Sequence, residues 1–166
     1  MHRRQLLSVV GATLGLAPIV AWFARPSAAD RATSDLRFPI EKTEEQWRHE
    51  LTPAAYHVLR GHGTERAGSS PLNHEKRAGM FLCAACGQPL FDSGTKYESG
   101  TGWPSFWKPL DDAVGTTVDR SYFMVRTEAH CVRCGSHLGH VFDDGPRPTG
   151  LRYCMNGLAL AFKPEG

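Results

Sequence analysis

The sequence of 166 residues, 41% hydrophobic and 22% charged, carries a formal net charge of +2. That excess lies in the first 29 residues, where Arg3, Arg4 and Arg25 stand without an acid; the rest holds 16 Lys and Arg against 17 Asp and Glu, a net of −1, which excludes a basic nucleic-acid footprint. The remaining 137 residues suffice for one domain with a genuine core, and no stretch in them is long and apolar enough to span a membrane.

The chain opens with Arg3 and Arg4, an apolar run from Leu6 to Phe23 and a small-residue stretch Ser27-Ala28-Ala29. This order predicts an export signal over 1–29, removed at a signal-peptidase site. A retained anchor is the alternative, but Gly11, Gly15 and Pro18 interrupt the run. The paired arginines resemble a twin-arginine signal, whose pathway carries folded proteins, so the expected destination is the periplasm, with no stable membrane insertion after cleavage.

Residues 30–42 read as a polar lead-in and 43–166 as the functional domain. Thr43 with Gln46 is a capping box, and Thr52-Pro53 begins a second helix that Gly61 stops after Arg60. Gly61 to Lys76 reads as a loop. Beyond it the chain is β-rich: "TTVDRSYFMVRTEAHC", "SHLGHVF" and "RYCMNGLALAF", the last with Leu158, Leu160 and Phe162 at period two. The expected fold is mainly β, antiparallel, with two short amino-terminal helices.

Cys83 and Cys86, followed by Gly87, and Cys131 and Cys134, followed by Gly135, are two C-x-x-C knuckles. Together they predict a tetrahedral S4 zinc cage, with two disulfides or a redox-active pair as the competing readings. A closed S4 site leaves no open position, so its metal stabilises and does no chemistry. Cys154 is then the one uncommitted thiol. It is either a buried inert cysteine or a reactive one, and Arg152 and Asn156, expected on the same strand face, favour the reactive reading.

His137 and His140 would face opposite ways on a regular strand, but Gly139 between them permits a bulge that turns both one way. Two histidines can handle protons near neutral pH; metal ligation or surface exposure are the other readings. Asp143 and Asp144 are placed to orient Arg152 or a histidine, or to cap the turn before Pro146, with Asp144 favoured for the pairing with Arg152. In "ESGTGWPSFW", Trp103 is expected to wall a pocket for a small methyl-bearing ligand and Phe106 to pack in the core, with Trp107 undecided.

The segments "LTPAAYHVLRGHGTE", "CAACGQPLF", "SGTGWPSFW", "VDRSYFMVRTE", "CVRCGSHLGHVFDDGP" and "GLRYCMNGLAL", spread from about Trp47 to Phe162, resemble the methionine-(R)-sulfoxide reductases, the B class of peptide-methionine sulfoxide reductase. The resemblance implies two antiparallel sheets stiffened by one structural Zn2+ on Cys83, Cys86, Cys131 and Cys134. It implies thiol-dependent reduction of methionine-R-sulfoxide, in oxidised proteins and as the free amino acid, for oxidative-damage repair. Cys154 falls on the catalytic cysteine, His137, His140 and Asn156 on active-site residues, Trp103 on the tryptophan facing the sulfoxide methyl, and Asp144 and Arg152 on a supporting pair. The implied course is attack by Cys154 on the sulfoxide sulfur, protonation of the oxygen by His137 or His140, and a Cys154 sulfenic acid.

Relatives that recycle through an internal disulfide often carry a resolving cysteine where this chain has Thr101. The expected reductant is therefore an external thiol or thioredoxin-like partner. Two rival readings stand beside this one. A non-enzymatic zinc-binding interaction module leaves Cys154 and both histidines idle, and a cysteine hydrolase wants its nucleophile at a helix start or beside one fixed base.

Overall fold

Both expected helices form. The computed structural model describes residues 37–166; the expected export signal 1–29 lies outside the described residues, as does the lead-in before residue 37. Helix α1 (Glu44–Glu50) opens on the capping box, with Thr43 Oγ1 accepting from Gln46 N at 3.3 Å and Gln46 Oε1 accepting from Thr43 N at 2.8 Å. Helix α2 (Pro53–Leu59) starts at Pro53, with Thr52 Oγ1 accepting from Ala55 N at 3.2 Å. Helices of two turns are not stable alone. Trp47, Val58 and Leu59 bury against the sheets and hold them. None of the described helices is long and apolar enough to cross a membrane.

Among the described residues nine strands form two antiparallel sheets, the mainly β architecture that the sequence predicts. Strands β1 (Gly79–Cys83), β2 (Pro89–Asp92) and β9 (Leu160–Pro164) make a small sheet in the order β2-β1-β9. The larger sheet runs β3-β4-β8-β7-β6-β5, from β3 (Lys96–Tyr97), β4 (Ser105–Phe106), β5 (Val114–Asp119), β6 (Arg126–Cys131), β7 (His137–Phe142) and β8 (Arg152–Met155). Phe81 and Phe91 of the small sheet meet Phe106 of the large one, with ring centroids 4.9 and 4.3 Å apart. All three are fully buried, each worth about 1.5–3 kcal/mol of transfer from water. Phe106 is thus a packing residue, as expected.

Two segments depart from the simplest reading of the sequence. "TTVDRSYFMVRTEAHC" is a hairpin, with β5 and β6 joined through a single 3-10 turn at Ser121–Phe123. "RYCMNGLALAF" is not one strand: β8 ends at Met155, a 3-10 turn covers Gly157–Ala159, and β9 continues in the other sheet. The cause is Glu65. Its buried carboxylate accepts from Gly157 N at 2.5 Å and Leu158 N at 3.0 Å, withdrawing both N–H groups from any ladder. A side chain at Gly157 would lie 1.9 Å from Ser70 Oγ, so only glycine passes this crossing.

Candidate active site

Cys83 closes β1 of the small sheet and Cys131 closes β6 of the large one, so the two knuckles meet where the sheets join. Each knuckle turns on a left-handed glycine whose N–H returns to the first cysteine: Gly87 (φ 73°) to Cys83 O and Gly135 (φ 67°) to Cys131 O, both at 2.8 Å. All four thiols are free, and their sulfurs lie within 4.8 Å of one another. Cys83 Sγ stands 3.8 Å from Cys134 Sγ, and Cys86 Sγ stands 3.7 Å from Cys131 Sγ. Four thiolates at about 2.3 Å from a central ion have sulfur–sulfur edges of about 3.8 Å, so the cluster has the dimensions of a tetrahedral metal site.

The second constellation rests on a bulge. His130 pairs with His137 and Ala129 with Gly139, so β7 carries Leu138 as an extra residue. Leu138 drops into the core, and the two histidines turn to one face, with ring centroids 5.3 Å apart. Gly139 is obligatory here, because a Cβ at this position would lie 2.1 Å from Cys154 O. The bulge therefore falls between the two histidines, as the sequence predicts, with Leu138 beside Gly139 as the extra residue.

Register then builds a cross-strand row. Thr117, Glu128, His140, Cys154 and Ser105 sit directly opposite one another on β5, β6, β7, β8 and β4, and directly opposed residues project from the same face. A cavity of about 130 Å³ opens over the His140–Cys154 part of this row, lined among others by Trp103, Arg126, His140, Phe142, Cys154 and Asn156; His137 lies behind the lining. It is well below the ~300–1,000 Å³ of pockets that enclose a whole ligand, so it suits the end of a side chain.

Asn156 is buried and fixed: its Oδ1 accepts from Glu65 N at 3.0 Å and its Nδ2 donates to Leu138 O at 3.1 Å. Trp103 is pinned at the cavity edge by Nε1–H donating to Glu65 O at 3.2 Å. Arg152 does not line the cavity. Its guanidinium donates twice to Asp144, from Nε and Nη2, each at 2.7 Å, and lies 4.3 Å from the Phe142 ring centre. The Arg152–Asp144 pair thus backs the aromatic wall from behind. Trp107 lies away from the cavity lining, its carbonyl accepting from Thr149 Oγ1 at 2.6 Å.

Two acids complete the site. Glu128 Oε1 accepts from His137 Nδ1 at 2.7 Å, and Asp119 Oδ2 accepts from His140 Nε2 at 2.8 Å. An ionised carboxylate only accepts, which assigns the ring proton to Nδ1 in His137 and to Nε2 in His140. Burial would raise the Glu128 carboxyl, but hydrogen bonds from His137, His62 and Thr117 outweigh it and hold it well below the usual range. For Asp119 burial acts the same way and is outweighed by Ser121, His140 and Arg126. His140 is held below an ordinary histidine, chiefly by burial and against the pull of Asp119. His137 is 1% exposed, and its Nε2 is buried without a hydrogen-bond partner among the described residues.

Glu65, Asp119, Arg126 and Glu128 are not singled out by sequence reasoning. A signal does exist for two of them. Asp119 and Glu128 are acids on opposed strands of a β-rich hairpin, where an inward carboxylate needs a partner. Glu65, in a loop, and Arg126 carry no comparable signal.

The SelR domain is matched over residues 51–164. Over 127 residues the chain is 59% identical to the peptide methionine sulfoxide reductase MsrB of Methanosarcina barkeri, covering 76% of this chain and 89% of that protein. It is 52% identical over 131 residues to the MsrB of Leptospira interrogans, covering 78% of this chain and 100% of that one. With the MsrB of Agrobacterium fabrum it shares 51% over 133 residues, 79% of this chain and 98% of that one.

Proposed function

We propose, from the premise that this chain belongs to the SelR-domain family of MsrB peptide methionine sulfoxide reductases, that it reduces methionine-R-sulfoxide with Cys154 as nucleophile. One observation carries this reading: Cys154, the one thiol outside the four-cysteine cluster, lines a small cavity directly opposite His140 and beside Trp103 and Asn156.

The sulfoxide end of the substrate enters with its methyl against Trp103 and its oxygen toward the histidines. The Cys154 thiolate attacks the sulfoxide sulfur, and a proton passes to the oxygen. The oxygen transfers to Cys154 as the substrate S–O bond breaks, leaving a reduced methionine and a Cys154 sulfenic acid, oxidised by two electrons. Of the two histidines we assign the proton to His137. Its Nε2 is buried and unpartnered, and Glu128 on Nδ1 stabilises the cationic ring. His140, tied to Asp119, supports the field around the thiolate. Fixing methyl and oxygen in separate places is what distinguishes the R from the S epimer.

The sulfenic acid is then reduced by an external thiol, with release of water and formation of a mixed disulfide that a second thiol resolves. Thr101 supports this, because the side chain that stands 3.8 Å from Cys154 Sγ offers a hydroxyl and no thiol. Cys83, Cys86, Cys131 and Cys134 hold zinc, the ion that suits four thiolates at these spacings, and the ion pins the sheets together. Residues 1–29 deliver the folded enzyme across the membrane by twin-arginine export.

The test is turnover of separate R and S epimers of a methionine sulfoxide peptide with dithiothreitol, alongside Cys154→Ser. The expected result is reduction of R alone, abolished in the variant. Turnover of S, or activity that survives Cys154→Ser, would sink the assignment.

A further inference from the structure

Glu128 gathers, beside His137, a donor that the reaction does not need, His62. Its Oε1 accepts from His137 Nδ1 at 2.7 Å and from His62 Nδ1 at 3.0 Å, and one ligand-capable atom from each of the three lies within 4.8 Å of the others. They arrive from three parts of the fold, the turn at 61–63, β6 and β7. Two imidazole nitrogens and one carboxylate oxygen suit a zinc-class ion that keeps an open position, whereas Mg2+ and Ca2+ prefer oxygen donors. Around a four-coordinate ion at roughly 2.0–2.2 Å, donors stand about 3.3 Å apart. The short edges of this triangle need to open by roughly half an ångström on that scale, and His62, with its side chain 64% exposed, is free to move.

Two further features single the cluster out. His62 is in the left-handed region (φ 52°) between Gly61 and Gly63, a conformation that a non-glycine residue rarely adopts and that survives where a side chain has to be aimed. Its ring centroid stands 5.1 Å from that of His137. Glu128 is oriented in turn by Thr117 Oγ1, which donates to Oε2 at 2.7 Å and leaves Oε1 to the histidines, the outer support that metal-binding carboxylates use.

We propose that His62, Glu128 and His137 form a second metal site for a zinc-class divalent ion, weaker than the cysteine cage. Resting on the reading of His137 above, occupancy has a consequence: the ion takes the Nδ1 position from the proton given to Glu128, fixes the ring and slows the reaction reversibly.

The experiment titrates Zn2+ into the zinc-replete full chain carrying Cys154→Ser, which removes the reactive thiolate as a ligand, with calorimetry and histidine-ring NMR as readouts. One equivalent beyond the cage is expected, in the micromolar range, with shifts at His62 and His137. His62→Asn, whose side chain tolerates the left-handed backbone but offers no imidazole, weakens that equivalent at least tenfold; the exposed His49→Asn does not. Absence of the extra equivalent, or equal affinity in His62→Asn, overturns the site. With Cys154 intact, Zn2+ at several times the measured Kd slows turnover, and a chelator too weak to strip the cage restores it. Binding without inhibition upholds the site and overturns the role of His137 instead.

Discussion

Thr101 Oγ1 lies 3.8 Å from Cys154 Sγ, so that a hydroxyl stands within reach of an oxidised sulfur. Ser99 Oγ, 2.8 Å from Thr101 Oγ1 and 2.7 Å from Ser105 Oγ, extends the contact into a chain of hydroxyls along the segment. Replacing this oxygen by sulfur converts the recycling route. In Thr101→Cys, one equivalent of substrate yields a disulfide between position 101 and Cys154, seen as a loss of two mass units and two thiols. In the parent protein the same treatment leaves Cys154 open to an external thiol. A parent protein that forms an internal disulfide with Cys154 after turnover refutes the external-thiol route.

Glu128→Gln preserves shape and removes charge. Losing the charge weakens support for a protonated His137, and kcat falls roughly tenfold to a thousandfold with KM little changed. A fall in kcat/KM through KM alone would show that Glu128 shapes the cavity and does not serve the proton transfer.

Glu65→Gln tests the junction between β8 and β9. The amide presents one acceptor where the carboxylate serves two N–H groups, leaving Gly157 N or Leu158 N short of a partner. A loss of about 1–3 kcal/mol follows, or roughly 3–10 °C in Tm for a domain of this size. Unchanged thermal stability would mean that water replaces the lost acceptor.

Acid should weaken the fold in two stages. His130 and His140 lie below ordinary histidine values, first because burial disfavours the charged ring, so the unfolded chain binds protons that the folded chain refuses. Stability therefore falls as pH drops below the ordinary value near 6.5. His62, raised by its bond to Glu128, acts oppositely but sits in solvent. Glu128 and Asp119 are depressed, so their contribution is present above their ordinary values of 4.5 and 3.8 and is lost as pH falls through the lower folded values. Urea midpoints from pH 8 to about 2, with metal content followed in parallel, should decline from about 6.5 downward, and Glu128→Gln should lose part of the lower stage. A flat profile between pH 7 and 5 would count against the histidine stage.

Stripping the metal should cost more than any single side chain. Cys83→Ser breaks the cage at the junction of the sheets and removes several kcal/mol, lowering Tm by more than about 10 °C. A variant that keeps its Tm would show that the phenylalanine core alone joins the sheets.

Much of this was readable in one sequence because the informative features are local. The caps at Thr43 and Thr52 and the glycines after each C-x-x-C pair act within a few residues, and the structure places them accordingly. The histidine bulge was readable too, because Gly139 marks it. What escaped depends on contacts between distant residues. Glu65 meets Gly157 across 92 positions, and that one carboxylate splits an apparently continuous strand between two sheets. Glu128 gains its role only once β6 aligns with β7, since period and composition do not report register.

The cysteine cage also closes the chain into a ring. Between the knuckles runs everything from Gly87 to His130, including Thr101, Trp103 and the turn at Ser121–Phe123, while Cys154, His137 and His140 lie outside that span. A single protease cut at the turn therefore produces two fragments that the metal still ties together, with Trp103 on one and Cys154 on the other. Such a nicked protein keeps its cavity and its turnover for as long as the ion stays. A chelator then removes what the protease leaves, and the two walls of one site, now on different molecules, are joined only by the pairings β1–β9, β4–β8 and β5–β6 and by the shared core.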